Sequence, residues 1–226
     1  MKATAILALL VILTLPLLAD SPKGTVPRST AARYAAHATI DGTTLGATLL
    51  TSKQVHKVFT TDLTPCCLVV EVALYPEKDK QLDVWPDDFV LRLTGTDTAV
   101  KPTGAQLLAW QLQKRNTDSS AVSTVAVANI GYESGTDPRM GQHEHAVEAG
   151  GGVGVGVGRD PAAAQASADR DRNAMEMELN EKSLPEDTVS APIAGYLYFA
   201  LPKDNKKAAH QLEYTLNGQK VFLNLN

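Results

Sequence analysis

Short stretches in which apolar and polar residues alternate make up most of the chain outside residues 117–185. Alternation with a period of two residues is typical of β-strands that have one buried face. The strongest of these stretches is Cys67–Tyr75, and the aliphatic residues on one of its predicted faces are Val70, Val72 and Leu74. Further predicted strands cover residues 38–40, 45–50, 82–85, 89–93, 193–201, 212–216 and 221–225.

Turn residues between these stretches indicate how the strands connect. Asp41-Gly42 and Asn217-Gly218 each stand between two predicted strands, and both dipeptides favour the tight turns of β-hairpins. The strands recur about every ten residues and do not alternate with helices. This pattern predicts a mainly β protein with antiparallel strands, arranged as a β-sandwich rather than as a parallel sheet.

Residues 117–185 depart from the strand pattern. Residues 149–158 read AGGGVGVGVG, which we interpret as a flexible linker, with a ribbon that mediates self-association as the alternative. From Pro161 to about Lys182, alanine-rich and charged residues predict a helix that is exposed except for a narrow apolar stripe. We therefore predict one β-sandwich domain over residues 37–226, interrupted by a glycine-rich and helical insertion at 117–185.

Two strand motifs and the closing hairpin together resemble a known class of domain. The first motif is PDDFVL at residues 86–91, which follows a charged turn, and the second is AGYLYFALP at residues 194–202. In this order they resemble the exported bacterial immunoglobulin-like domains of unknown function, over about half of the chain. The resemblance implies an immunoglobulin-like antiparallel β-sandwich and brings no catalytic residues with it. The insertion lies outside the resemblance.

The first 19 residues have the pattern of a secretory signal peptide. Lys2 supplies a positive charge, residues 3–18 are apolar, and Ala19 offers a small residue for cleavage. The apolar run is shorter than the roughly 20 residues of a spanning helix, so we expect membrane contact only if the segment is not cleaved. No cysteine follows the run, which predicts a secreted or periplasmic protein without a lipid anchor. Residues 20–36 are rich in small polar residues and proline and predict a flexible leader.

Cys66 and Cys67 are adjacent, and the chain has no other cysteine. Neighbouring residues of a strand point to opposite faces, so a disulfide between them requires a distorted peptide unit. We therefore expect two separate thiols at the start of a strand, with one of them facing the core. A vicinal disulfide or a bridge to a second chain is the alternative in the oxidising compartment that a signal peptide implies.

His143-Glu144-His145 is the local cluster that most resembles a metal site. Imidazoles at positions i and i+2 project to the same side of an extended segment and could share a metal ion. A third ligand must come from elsewhere, and the candidates are His37, His56 and His210. The competing interpretation, which we prefer, is a solvated polar loop. We therefore expect the protein to have no cofactor.

The charge balance argues against some classes of partner. The chain has 21 basic and 25 acidic side chains and a net charge of −4, so its electrostatics do not favour nucleic acid or an anionic membrane. The glycine-rich run matches no phosphate-binding pattern, and the sequence contains no G-x-S-x-G motif. We therefore expect an exported, non-enzymatic interaction or structural module of the bacterial cell envelope or extracellular space, with a protein or another envelope component as its partner. The alternative is a metal-binding protein or metal-dependent enzyme that uses His143 and His145.

Overall fold

The alternating stretches form strands in the computed structural model, which describes residues 23–118, 161–201 and 208–225. The strands of these ranges are β1 (Ala36–Ile40), β2 (Thr43–Leu49), β3 (Cys67–Tyr75), β4 (Leu82–Val84), β5 (Phe89–Leu93), β6 (Ala99–Val100), β7 (Asp187–Val189), β8 (Ile193–Ala200), β9 (His210–Leu216) and β10 (Gln219–Leu225). The helices are α1 (Ser52–Val58), α2 (Ala105–Asp118) and α3 (Pro161–Lys182).

The strands pair into two four-stranded sheets and one short two-stranded sheet. The first sheet has the order β1-β2-β3-β8, the second has the order β10-β9-β5-β6, and β4 pairs with β7. All of these pairs are antiparallel. Both predicted hairpins are present, with Asp41-Gly42 between β1 and β2 and Asn217-Gly218 between β9 and β10. The expectation of a mainly β protein with antiparallel sheets is confirmed.

The two four-stranded sheets share one apolar core. β3 contributes the face that the alternation predicts, and its fully buried residues there are Val70, Val72 and Leu74. The second sheet contributes Phe89 and Tyr214, whose rings stack with their centroids 4.6 Å apart. Full burial of a side chain such as Val70, Leu74 or Phe89 stabilises the fold by about 1.5–3 kcal/mol. The burial of these residues between the two inner faces therefore holds the sheets together.

The three helices cover the other face of the first sheet and form a second core. Its members include Phe59, Leu108, Leu179 and Tyr198. The Tyr198 hydroxyl donates to Leu179 O at 2.9 Å and so attaches the C-terminal end of α3 to β8. The helix predicted over 161–182 is therefore present, and because Leu179 is fully buried, its last turns belong to this core.

Residues 23–35 are attached to the first sheet, which differs from the flexible leader that their composition predicts. Thr25 N donates to Ala194 O at 2.8 Å, so the chain runs beside β8 there. The Arg28 guanidinium pairs with Glu71 of β3 and lies 4.3 Å from the centroid of the Tyr34 ring. Composition alone indicates flexibility here, because the partners that hold the segment, Glu71 and Ala194, are distant in sequence and leave no local pattern.

Two predicted segments lie outside the described residues, namely the signal peptide at 1–19 and the glycine-rich run at 149–158. Both stay predictions. Of the helices that the structure describes, none combines the length and the apolar character needed to cross a membrane.

Candidate functional site

A cleft of about 680 Å³ lies between the helical layer and the loop that joins α1 to β3. One wall consists of the loop residues Thr60, Thr61, Asp62 and Pro65. The other walls are side chains of α2 and α3. A cleft of this size accommodates a small ligand or a few side chains of a larger partner.

The two helices that line the cleft pack against each other in antiparallel directions. Gln113 Nε2 of α2 donates to Ala168 O of α3 at 2.8 Å. Closer to the sheet, Leu108 and Leu112 are one turn apart on α2 and are buried together with Leu179. This packing leaves a row of α3 side chains facing the cleft at the i, i+3, i+4 and i+7 spacing of one helix face.

Glu178 of α3 fastens the loop to the helix. Its carboxylate accepts hydrogen bonds from Thr60 N at 2.7 Å, from Thr61 N at 2.9 Å and from the Thr61 hydroxyl at 2.7 Å. Lys182 donates to the same carboxylate at 2.8 Å and to Val58 O at 2.6 Å. Burial raises the pKa of the Glu178 carboxyl, but the hydrogen bonds that it accepts outweigh burial and lower the pKa to about 2. We call this arrangement of Glu178, Lys182, Thr60 and Thr61 the Glu178 clamp.

The loop turns tightly before it enters β3. Asp62 Oδ1 accepts from Thr64 N at 3.0 Å and from the Thr64 hydroxyl at 2.6 Å. Leu63 O accepts from Cys66 N at 3.2 Å and from Cys67 N at 3.0 Å. The Leu63 side chain is fully buried in the second core, so apolar burial and hydrogen bonds both hold the turn.

Cys66 and Cys67 are joined by a disulfide bond, whereas the sequence led us to expect two separate thiols. Both residues are buried in the second core, so they do not point to opposite faces of the sheet. The reason is that β3 begins at Cys67, and Cys66 lies in the preceding turn, where the alternation of a strand does not apply. Pro65, which lines the cleft, precedes the pair directly.

Acidic side chains outnumber basic ones in the cleft. The carboxylates that line it are Asp62, Asp171, Glu178 and Glu181, and the cations are Arg115 and Lys182. Glu178 and Lys182 form an ion pair, and Asp62 is bound by Thr64, which leaves the carboxylates of Asp171 and Glu181 and the Arg115 guanidinium. Apolar groups of Pro65, Leu112 and Met175 also line the cleft, so apolar surface and negative charge occur together.

The predicted metal ligands do not form a site in the described part of the chain. His143 and His145 lie outside the described residues, so a metal bound by them stays a prediction. The candidates for a third ligand lie on separate elements: His37 is on β1, His56 on α1 and His210 on β9. Within residues 23–118, 161–201 and 208–225, no three or more His, Cys, Asp or Glu side chains are grouped so that they could hold a metal ion.

The sequence contained a partial signal for this cleft. Glu178 and Lys182 are four residues apart on a predicted helix, a spacing that favours an ion pair. The loop partners of Glu178 are 117 and 118 residues away from it in sequence, and backbone amides carry no side-chain signature. The sequence therefore predicts neither the clamp nor the cleft.

Comparison of the chain with protein-family models, with curated proteins and with solved structures finds no match.

Proposed function

We propose that this protein is an exported, non-enzymatic interaction module that binds a basic segment of a partner protein in the cleft between the loop, α2 and α3. The observation that carries the proposal is the Glu178 clamp. Three hydrogen bonds from the loop to one carboxylate hold the loop wall against α3. A wall that is already ordered loses little conformational entropy when a partner binds, which favours affinity.

The charges of the cleft support a basic partner. Glu178 and Lys182 neutralise each other, and Asp62 accepts hydrogen bonds from Thr64, so the carboxylates of Asp171 and Glu181 remain against the guanidinium of Arg115. Such an excess attracts cationic side chains and repels acidic ones. The neighbouring apolar groups of Leu112 and Met175 would contact an apolar side chain of the same segment. The matching ligand is a segment that combines lysine or arginine with an aliphatic residue.

The state of Glu178 supports binding rather than catalysis at this cleft. A general acid or base works best when its pKa lies near the working pH. The pKa of Glu178 is lowered to about 2, and its oxygens already accept hydrogen bonds from the loop and from Lys182. The carboxylate is therefore suited to positioning the loop and not to proton transfer.

The rest of the chain fits a scaffold role. Two antiparallel sheets around one core support the finer assignment to the immunoglobulin-like β-sandwich class that the strand motifs suggest. The pattern of residues 1–19 supports export. N-terminal sequencing of the protein recovered outside the cytoplasm tests this part: a start near Asp20 is expected, and a start at Met1 would contradict cleavage.

A peptide-binding assay tests the proposed ligand class. The probe is a short fluorescein-labelled peptide with lysines on both sides of a leucine, and its counterpart has glutamates in place of the lysines. We expect the basic peptide to bind more tightly by fluorescence anisotropy, with an affinity that falls as salt is raised. Equal binding of the acidic peptide would rule out the proposed ligand.

Variants of α3 locate the binding. Asp171→Asn combined with Glu181→Gln removes two carboxylates from the cleft with little change of shape, and we expect the basic peptide to bind about two- to tenfold more weakly. Glu176→Gln is the matched control, because Glu176 is on the same helix but outside the cleft lining. Equal losses in the test variant and the control would place the peptide elsewhere.

A further inference from the structure

We infer that the Cys66–Cys67 disulfide is a redox site that a dithiol can reduce, and that its state controls how firmly the loop wall of the cleft is held. This goes beyond the proposed binding role, because the coupling between disulfide and loop does not depend on which ligand the cleft takes. Three observations carry it: the position of the pair in the chain, its hydrogen bonds, and its connection to the Glu178 clamp.

The disulfide lies where the loop becomes a strand. Cys67 is the first residue of β3 and pairs with Ala200 of β8, and Cys66 O accepts from Leu201 N at 3.1 Å. On the other side, the amides of both cysteines donate to Leu63 O. The pair therefore joins the rigid sheet to the last turn of the loop, and a change in its side chains acts on both.

The bond restricts the conformations of this junction. While the sulfurs are joined, the side chains of two adjacent residues must stay on the same side of the chain, so residues 66 and 67 cannot take the alternating geometry of a strand. Reduction removes this restriction. Reduction also gives Cys66 Sγ a proton to donate, and because Sγ lies 3.4 Å from Leu63 O, the thiol competes for the acceptor that already receives the amides of both cysteines.

The junction is directly connected to the cleft. Pro65 and Asp62 line the cleft and lie within four residues of the disulfide, and the clamp residues Thr60 and Thr61 precede them. Leu63 O accepts hydrogen bonds from the amides of both cysteines, so a rearrangement of the pair changes the turn at Leu63. This turn fixes the position of residues 60–62, which precede it. A looser turn weakens the hydrogen bonds of Thr60 and Thr61 to Glu178 and makes the loop wall less ordered.

The chemistry is a two-electron exchange with a dithiol. One thiolate of the reductant attacks a sulfur of the pair, the Sγ–Sγ bond breaks, and a mixed disulfide forms. The second thiolate of the reductant then displaces the protein sulfur. The reductant leaves as its own disulfide and has given up two electrons, and the sulfurs of Cys66 and Cys67 each gain one electron and one proton. Because Cys66 and Cys67 are only 6% and 5% exposed, a small dithiol reacts faster than a protein-sized one.

Reversible reduction of the full chain tests the inference. The protein is treated with dithiothreitol at neutral pH and followed by mass spectrometry, by iodoacetamide labelling and by amide hydrogen exchange measured by NMR. We expect a mass gain of two hydrogen atoms and labelling of both cysteines. We also expect the amides of Thr60 and Thr61 to exchange about tenfold faster or more, while those of β9 and β10 in the other sheet keep their protection. Reoxidation should restore the slow exchange.

Three results would overturn the inference. The first is labelling of both thiols in the protein as purified in air, because the disulfide would then not form. The second is complete reduction without faster exchange at Thr60 and Thr61. The third is loss of protection in β9 and β10 as well, which would indicate global unfolding and not a local effect.

A variant gives an independent comparison. Cys66→Ser combined with Cys67→Ser should show the exchange pattern of the reduced protein and should not respond to dithiothreitol. If this variant shows slow exchange at Thr60 and Thr61, as in the oxidised protein, the disulfide does not control the loop. If the variant does not fold, the reversible reduction of the unmodified protein decides the question. None of these measurements uses the peptide, so their outcome is separate from that of the binding assay.

Discussion

Asn217 and Asp41 are 176 positions apart in the chain, and the Asn217 side-chain amide donates a hydrogen bond to the Asp41 carboxylate at 2.6 Å. Each residue is the first of a two-residue hairpin turn, one between β1 and β2 and the other between β9 and β10. Both have positive φ, +50° for Asn217 and +47° for Asp41, a region in which Asn and Asp are tolerated better than most residues. The bond therefore links the turns of two hairpins that belong to different sheets.

Substitution of Asn217 separates the role of the turn from the role of this hydrogen bond. Asn217→Ala loses the bond and places a less tolerant residue at positive φ, so we expect the free energy of unfolding to fall by about 1–2 kcal/mol. Asn217→Gly loses the bond but keeps an allowed conformation, and we expect less than half of that loss. Urea unfolding measures both values. Equal losses would mean that the hydrogen bond, and not the backbone conformation, dominates.

The hairpins and the clamp differ in how much of them the sequence reveals. Asp41-Gly42 and Asn217-Gly218 were predicted as turns because the signal is local: two residues specify the conformation. The face of β3 that carries Val70 was predicted for the same reason. In contrast, the link from Asn217 to Asp41 and the contacts of Glu178 with the loop join residues more than 100 positions apart, and no periodicity connects such positions.

Glu178→Gln tests the clamp through the pH dependence of stability. The pKa of Glu178 is about 2 in the folded protein against an ordinary value of 4.5, so its contribution is fully present above about pH 4.5 and is lost as the pH falls towards 2. At pH 7 we expect the variant to be less stable by about 1–3 kcal/mol, since the Glu178 side chain is only 15% exposed. The difference between the two proteins should shrink between pH 4.5 and 2. Urea unfolding at several pH values measures it.

Glu176→Gln serves as the control for this titration. It removes a carboxylate from the same helix at a position outside the clamp, so we expect its unfolding free energy to stay within about 0.5 kcal/mol of the unmodified protein at neutral pH. If Glu178→Gln and Glu176→Gln have the same effect at pH 7, Glu178 does not hold the loop.

Arg28→Ala tests the attachment of residues 23–35 to the first sheet. Arg28 pairs with Glu71, stacks on Tyr34 and donates to Arg33 O at 2.6 Å. Removal of the guanidinium leaves the Glu71 carboxylate, whose side chain is only 13% exposed, without its cation. We expect a loss of about 1–3 kcal/mol in unfolding free energy and faster amide exchange at Thr25, which bonds to β8.

Two further variants show whether the effect of Arg28→Ala comes from the contacts of the Arg28 guanidinium. Arg28→Lys keeps the charge but loses the planar group that stacks on Tyr34, so we expect an intermediate loss. Arg33→Ala removes an exposed cation of the same segment, and we expect a change within about 0.5 kcal/mol. If the amide of Thr25 keeps its slow exchange in Arg28→Ala, other contacts hold the segment.

The disulfide and the attached N-terminal segment show two physical limits of local patterns. The predicted strand begins at Cys67, as the observed one does, but the rule that neighbouring side chains alternate does not extend to Cys66, because that residue lies in the preceding turn. The composition of residues 20–36 indicates flexibility, but the Glu71 carboxylate on β3 and the Tyr34 ring provide partners for Arg28. In both cases the conformation depends on contacts with residues elsewhere in the fold, which the local sequence pattern does not reveal.

Gly195→Ala tests how the chain leaving α3 closes the edge of the first sheet. A Cβ atom at Gly195 of β8 would lie 2.4 Å from both Cα and N of Leu184, and these backbone atoms cannot rotate away. Leu184 N also donates to Tyr196 O at 3.1 Å, so the two segments are in direct backbone contact. Glycine inside a strand often marks such an approach, and here the approach fixes the end of α3 that carries Glu178 and Lys182.

We expect Gly195→Ala to lower the free energy of unfolding by about 2–4 kcal/mol, because the extra methyl group must push residues 183–184 away from β8. Gly104→Ala is the matched control, since no atom lies within 4 Å of a Cβ at that position, and its effect should stay within about 0.5 kcal/mol. Urea unfolding compares the two. If they are equally stable, residues 183–184 do not pack on Gly195. If Gly195→Ala is destabilised and the amides of Thr60 and Thr61 also exchange faster, the packing at this edge of the sheet supports the clamp and with it the wall of the cleft.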